Sequence, residues 1–276
     1  MKADRIEKTY GRWAVVLGAS EGIGYAIAEK LASAGLSLVL AARRSRPLEA
    51  AADSIRKKYS VEVDTLILDL ALPDPWPAIE KAIGDRDAGL IVYNAAASPI
   101  GPFLDMNLDA ARRTVAVNIA SPMDVVHGAG NRFRKRYAET GSRGGIILIS
   151  SLSGLGGTPH VAAYAASKAW NIIFAEGTGE EARREGVDIL ACIAGATDTP
   201  GFRDSTGERG PGAPVSAAGA VAATALGSLG RRTSVVSGFL NKIVGTVMYG
   251  RFPRGLSTKI LGHATSALRH RDDAGL

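Results

Sequence analysis

The chain has 276 residues, 46% hydrophobic and 22% charged, with a net charge of +6, four histidines and one cysteine. That balance lets one full core be buried without staples; a lone cysteine excludes a disulfide scaffold, and histidines without close Cys or acidic companions speak against a structural metal. The positive charge suits an anionic ligand, such as a phosphorylated cofactor or a coenzyme A thioester, and equally suits a plain soluble surface. An aromatic content of 6%, with no basic segment interleaved with aromatics, argues against nucleic acid.

In chain order, residues 1–5 run into polar sequence without an apolar leader, and no stretch of about 18 apolar residues follows. The expectation is a cytoplasmic protein without a membrane span. The first strand-like run, 13–17, ends on Gly18-Ala19-Ser20-Glu21-Gly22-Ile23-Gly24, after which Ile27 and Leu31 recur at helical spacing. Glycines between a strand and a helix allow a tight turn, and the helix N-terminus offers unpaired N–H groups to a pyrophosphate. A dinucleotide is expected there.

The second run, 36–42, ends on Arg43-Arg44 where an acid would bind the ribose 2′-OH of NAD. Arginine can pair with a 2′-phosphate, so NADP is favoured over NAD; Glu21 in the loop is the opposing charge. Leu48, Ala52, Ile55 and Tyr59 then mark a helix, and further runs fall at 61–68, 90–93, 146–150, 187–193 and 234–236. Seven runs alternating with helices predict an α/β fold: one Rossmann-type, doubly wound parallel sheet with helices on both faces, as a single domain over 1–276. Cys192 sits inside the sixth run and is expected to be buried.

Residues 201–214 are rich in Gly, Pro and charge, which predicts a substrate lid around 200–230, followed by a C-terminal extension over 238–276. In that extension Phe239, Leu240, Val244, Met248, Tyr249 and Phe252 are expected to enclose an apolar substrate.

Tyr164 and Lys168 stand four residues apart, with Ser151 thirteen positions before the tyrosine, just past a strand-like run. On a helix that spacing puts phenol and ammonium on one face. A phenol exchanges protons poorly at neutral pH, because its pKa is about 10, unless a cation stabilises the phenolate. Lys168 is that cation, and the Ser151 hydroxyl can hold a carbonyl oxygen while Tyr164 moves its proton. Asn118 lies in a helical pattern with Pro122 four residues on. Proline lacks an N–H, so a kink is expected, with a free Asn118 carbonyl that binds a water linking Lys168 to solvent. Ser150, Ser153 and Ser167 are assigned no chemistry; Trp170, Ile173 and Phe174 are read as packing.

Together the glycine loop, Asn94-Ala95-Ala96, Asn118, Ser151, Tyr164 and Lys168 resemble the short-chain dehydrogenase/reductase family over nearly the whole chain. The segments 10–16 and 251–254 resemble its 3-oxoacyl-CoA reductase and 17β-hydroxysteroid dehydrogenase branch. The resemblance implies a catalytic tetrad of Asn118, Ser151, Tyr164 and Lys168. It also implies cofactor contacts from Gly18, Ser20, Glu21, Gly22, Ile23, Gly24 and Arg43, from Asp69 and Leu70 beside adenine, from Asn94 and Ala95 under the ribose, and from Gly195, Thr197 and Thr199 near the nicotinamide. The chain departs from the family pattern at Leu17, Tyr93, Ala96 and Ala194.

A homodimer or homotetramer through the helices carrying Asn118 and Tyr164 is implied as well. The function expected is NADP-dependent hydride transfer between nicotinamide and a ketone or secondary alcohol, with a steroid, ketoacyl thioester or lipid-like ketone as substrate. The rivals are a non-catalytic dinucleotide-binding regulator and an epimerase or dehydratase on the same scaffold.

Overall fold

The computed structural model describes residues 3–206, 215–250 and 252–265. Helix α1 (Ala3–Tyr10) leads into β1 (Trp13–Leu17), followed by α2 (Gly22–Ser33), β2 (Ser37–Ala42), α3 (Ser45–Lys58), β3 (Val63–Ile67), α4 (Trp76–Ile83) and β4 (Ala88–Tyr93). The second half runs through α5 (Leu108–Val115), a π-turn at Ala116–Ala120, α6 (Ser121–Thr140), β5 (Gly144–Ser151), α7 (Ala162–Ala182) and β6 (Val187–Ala194). Two short strands, β7 (Thr197–Asp198) and β8 (Ser216–Ala217), lie on either side of α8 (Pro200–Thr206). Helix α9 (Ala218–Ser228), β9 (Ser234–Val236), α10 (Phe239–Gly250) and α11 (Arg254–Thr265) follow.

Seven strands form one sheet in the order β3-β2-β1-β4-β5-β6-β9, every neighbouring pair parallel. All seven expected runs are strands, with ends moved by at most two residues. Strands β4 and β6 are buried along their whole length. With helices on both faces, these two strands are shielded from water and, apart from Asp188, are continuously apolar instead of alternating.

Alternate side chains serve two cores. Val16, Leu38, Leu40, Ile147 and Leu190 pack with α2, α3 and α9; Val15, Leu17, Val39, Ile91 and Ile193 pack with α4, α6 and α7. Cys192 pairs in register with Ile149 and Val235 at the middle of β6, has no exposed surface, and burial pushes its thiol up to about 12.

The strand order turns back at β1 and β4, which opens a crevice at their carboxyl ends. The opposite, amino end of the sheet is closed by an ion pair. Arg143, just before β5, donates to both carboxylate oxygens of Asp188 at 2.6 and 2.9 Å, and Tyr10 Oη donates to the same carboxylate at 2.9 Å. Asp188 is thus buried with three donors around it.

The expected lid around 200–230 divides into parts of different character. Helix α8 is present, residues 207–214 lie outside the described residues, and 218–228 is core. In α9, Val221, Ala222, Ala225 and Leu226 are buried with α2 in the first core. The reason lies in the residues themselves: alanines at helical spacing let α9 approach α2 closely, and no glycine or proline cluster extends past 214. The C-terminal extension forms α10 and α11; residues 266–276 lie outside the described residues.

Candidate active site

The loop after β1 is built for close approach of backbone and ligand. Gly18 and Ala19 donate to Ala41 O at 2.8 and 3.2 Å, which pins the loop to the end of β2. Gly22 has φ +62°, and a Cβ at Gly24 would lie 2.1 Å from Gly18 O. Neither site tolerates another residue. Helix α2 starts at Glu21 without a side-chain cap, so its first N–H groups, among Gly22, Ile23 and Gly24, point out of the helix unbonded by any cap. Ser20 is half-buried beside them. Asn94 Nδ2 donates to Gly18 O at 2.9 Å, while Asn94 N and Ala95 N donate to Leu17 O. The end of β4 thereby holds the loop in place.

Around this loop, charge is distributed unevenly. Arg44 pairs with Glu21 at 3.1 Å, so the acid that opposed a phosphate in the sequence already has a cation beside it. Arg43 is exposed at the end of β2. Leu70 is buried at the end of the third strand's following turn. Asp69 accepts from Arg113 at 2.9 and 3.1 Å and from Ala71 N at 3.0 Å. Burial alone would raise this carboxyl, but Ala71 N–H, Arg113 and the charge of Arg43 together hold it below its ordinary value. Arg113 was not singled out in the sequence; it sits forty-four residues away from Asp69 and only the fold brings them together.

At the carboxyl end of β5, the Ser151 hydroxyl lies near enough to Tyr164 to act on its phenol, and it accepts from Ser153 N at 3.2 Å. Burial raises the Tyr164 phenol, and the Ser151 hydroxyl works against that rise. Lys168 lies one turn further along α7, with Nζ 5.6 Å from the centre of the Tyr164 ring and donating to Ile149 O at 2.8 Å. It is buried, and among the described residues no carboxylate pairs with it; desolvation brings its ammonium down to about 8. The expected cation therefore stands beside the phenol, yet the pull of Lys168 does not offset burial in the protein alone.

The π-turn has a definite cause. Ser121 N donates to Ala116 O, five residues back, and Pro122 supplies no N–H, so the carbonyls of Val117 and Asn118 both lose a backbone donor. Two side chains replace it. Tyr93 Oη donates to Val117 O at 2.6 Å, and Asn171 Nδ2 donates to Asn118 O at 3.0 Å. The break expected at Pro122 takes the form of the π-turn, and the Asn118 carbonyl already accepts one bond, from Asn171, which no local pattern signalled; its second lone pair is the one left for a water. Tyr93, a departure from the family pattern, is a compensation for the missing proline donor.

The Asn118 side chain ties the site together. Its Oδ1 accepts from Ala97 N at 2.8 Å, and its Nδ2 donates to Ala97 O and Ser167 Oγ, both at 2.9 Å. Ser167 Oγ in turn donates to Tyr164 O at 2.7 Å, and Ser150 Oγ donates to Lys168 O at 2.7 Å. These two serines hold α7 in position and do not face the crevice. Trp170 and Phe174 stack at 4.3 Å as packing residues, whereas Ile173 is 69% exposed.

Beyond β6, Gly195 lies against Asn241, Thr197 Oγ1 donates to Gly195 O at 2.9 Å, and Thr199 sits over Gly22 with its Oγ1 accepting from Phe202 N. The carboxyl ends of β1 to β6, with the π-turn and the start of α7, thus carry the expected site residues at one end of the sheet. A sequence model of the family described as short chain dehydrogenase matches residues 12–209.

The chain belongs to the short-chain dehydrogenase family.

It is 35% identical to a 7beta-hydroxysteroid dehydrogenase of Clostridium sardiniense over 191 residues, covering 69% of this chain and 71% of the relative. A solved structure from work on 7beta-hydroxysteroid dehydrogenase stereoselectivity superposes with a TM-score of 0.83 at 26% identity, covering 93% of this chain and 98% of its own. A short-chain dehydrogenase from Sphingobium yanoikuyae in complex with NADPH gives 0.72 at 26% identity, over 82% and 86% of the two chains. Membership makes this chain an oxidoreductase that acts on CH–OH and C=O groups with a nicotinamide dinucleotide. The glycine turn, whose own close packing excludes a Cβ, and the uncapped N-terminus of α2 fit that cofactor.

Proposed function

We propose that this short-chain dehydrogenase is an NADP-dependent enzyme for an apolar ketone or its secondary alcohol, a steroid, ketoacyl thioester or lipid-like ketone. The observation that carries the reading is the group at the end of β5, in which Ser151 favours the phenolate of Tyr164 and Lys168, buried and paired with no carboxylate among the described residues, lies beneath the ring. A buried ammonium without a carboxylate has a use when a polar ligand and a proton carrier complete its surroundings.

NADPH, when bound, supplies the hydride, and the oxidised form accepts it. The protein's task is to govern the oxygen and its proton. Ser151 and Tyr164 converge on the substrate oxygen, Ser151 donating to it and Tyr164 Oη delivering or removing the proton. Lys168 holds positive charge under the ring and favours the phenolate as negative charge develops. Asn118 is the fourth member; its side chain fixes the Ala97 loop and the Ser167 turn, so that α7 presents Tyr164 and Lys168 at the crevice.

Gly18, Ser20, Glu21, Gly22, Ile23 and Gly24 cradle the pyrophosphate in this reading, with Asp69 and Leu70 at adenine, Asn94 and Ala95 under its ribose, and Gly195, Thr197 and Thr199 at the nicotinamide. Arg43 meets the 2′-phosphate. The pairing of Arg44 with Glu21 supports NADP, because it neutralises the one acid of the loop. The relatives named for a hydroxysteroid favour an apolar substrate, as do Leu152 and Leu155, which follow Ser151 and lie against Gly245 of α10. Assembly as a homodimer or homotetramer through α6 and α7 suits the exposed Met123 and Ile173, and a reducing cytoplasm suits the Cys192 thiol.

A panel of steroid, ketoacyl and small cyclic ketones, followed by absorbance of the reduced cofactor with NADPH and NADH in parallel, tests the reading. NADPH-dependent turnover of apolar ketones is expected. Turnover with NADH alone removes the assignment of Arg43, and cofactor binding without net oxidation on any ketone favours an epimerase or a regulator.

A further inference from the structure

Helix α10 has an apolar face that the fold does not use. Among its described side chains Asn241 and Gly245, one turn apart, are the buried positions, with Gly245 against Leu152 and Leu155. At about 100° per residue, Phe239, Leu240, Ile243, Val244 and Val247 fall on an arc turned away from that buried face, and they are 38% to 76% exposed. The tail was expected to wrap these side chains around a substrate; they point outward instead, while the side chains of Met248 and Tyr249 lie outside the described residues. Leu256 and Ile260 of α11, one turn apart, are exposed as well, at 45% and 43%. An exposed apolar surface of this extent on a single chain marks a contact.

Charge selects among possible occupants. Between residues 239 and 271 the sequence has six basic residues, Lys242, Arg251, Arg254, Lys259, Arg269 and Arg271, and no acid. Lys242 is exposed on α10 between Leu240 and Ile243, and Arg254 is exposed at the start of α11, two residues before Leu256. Bulky apolar side chains on one face, cations beside them and no anion is the pattern of a helix lying in the interface of an anionic bilayer. A second copy of this chain fits less well, since a two-fold contact sets each patch against its own image and brings Lys242 and Arg254 toward like charges. Among the described residues no helix is long and apolar enough to cross a membrane, so the attachment is peripheral.

We infer that α10 and α11 dock this protein on an anionic lipid surface, with Phe239, Leu240 and Ile243 inserted among the acyl chains and Lys242 and Arg254 among the headgroups. Helix α10 begins at the carboxyl end of β9, the same sheet edge as the crevice, so docking turns that edge toward the lipid. The inference stands on the geometry and charge of the two helices and does not depend on the reaction catalysed.

The test is sedimentation of the full chain with vesicles of phosphatidylcholine alone, and of phosphatidylcholine mixed with phosphatidylglycerol. Binding to the mixed vesicles is expected to exceed binding to neutral ones by about tenfold or more, and to be released at 1 M salt. The double substitution Phe239→Glu with Leu240→Glu, at exposed positions that leave the fold intact by circular dichroism, should abolish it. Lys242→Glu should weaken it and leave the oligomeric mass unchanged. Equal binding to both vesicle types, or none to either, overturns the inference. So does a native dimer that the double substitution splits while vesicle binding is absent, since the face then belongs to a second copy.

Discussion

The two ends of the sheet bury charge in opposite ways. At the amino end, Asp188 meets Arg143 through two hydrogen bonds and Tyr10 through a third. At the carboxyl end, Lys168 has one carbonyl, Ile149 O, and no counter-charge among the described residues. A closed pair holds elements together; an open one stores unspent bonding capacity where a ligand enters. The same sheet therefore separates anchoring from chemistry along β5, from Gly145 opposite Asp188 to Ile149 and Ser151 at the other end.

The sharpest way to break this contrast is Tyr164→Phe, which keeps the ring and removes the hydroxyl. Turnover should fall by about 10²–10⁴-fold, while the urea midpoint stays near that of the parent, because the ring packing and the Asn118 network are untouched. A matching loss of stability would mean that the open end also anchors. The converse change is Asp188→Ala, which strands Arg143 and the Tyr10 hydroxyl and should cost about 3–5 kcal/mol in equilibrium unfolding. Cofactor affinity of the protein that remains folded should not move.

A smaller effect comes from pH. Lys168 is brought from 10.5 down to about 8 on folding, so the unfolded chain holds that proton more tightly. Its contribution to stability therefore rises as pH climbs from about 8 toward 10.5. Over the same range the ammonium is lost from beneath Tyr164, and kcat/KM for ketone reduction should decline above about pH 8. Activity falling while the Lys168 contribution to stability grows is the expected signature, read by parallel rate and unfolding measurements on the parent and on Lys168→Met.

The sheet was legible because its central strands are buried on both faces and so appear as uninterrupted apolar runs, and the glycine loop because its position between β1 and α2 leaves few other uses. Tyr164, Lys168 and Ser151 were legible through local spacing. What escaped was long-range or depended on direction. Asn171 donating to the Asn118 carbonyl and Arg113 closing on Asp69 join residues 53 and 44 positions apart, and nothing in either neighbourhood encodes the partner. Helix α9 was taken into the lid because a Gly/Pro-rich stretch precedes it, although its own alanines pack on α2. In α10 the apolar residues were expected to enclose a substrate, but which way their side chains turn is set by two inconspicuous buried positions, Asn241 and Gly245.

Cys192 gives the molecule a built-in clock. The single thiol sits in mid-strand between two paired neighbours, shielded from solvent and held in its unreactive protonated form. A thiol reagent can reach it only after the helices packed on its face of the sheet lift away, so the rate of labelling reports how often that core opens, with no engineered probe.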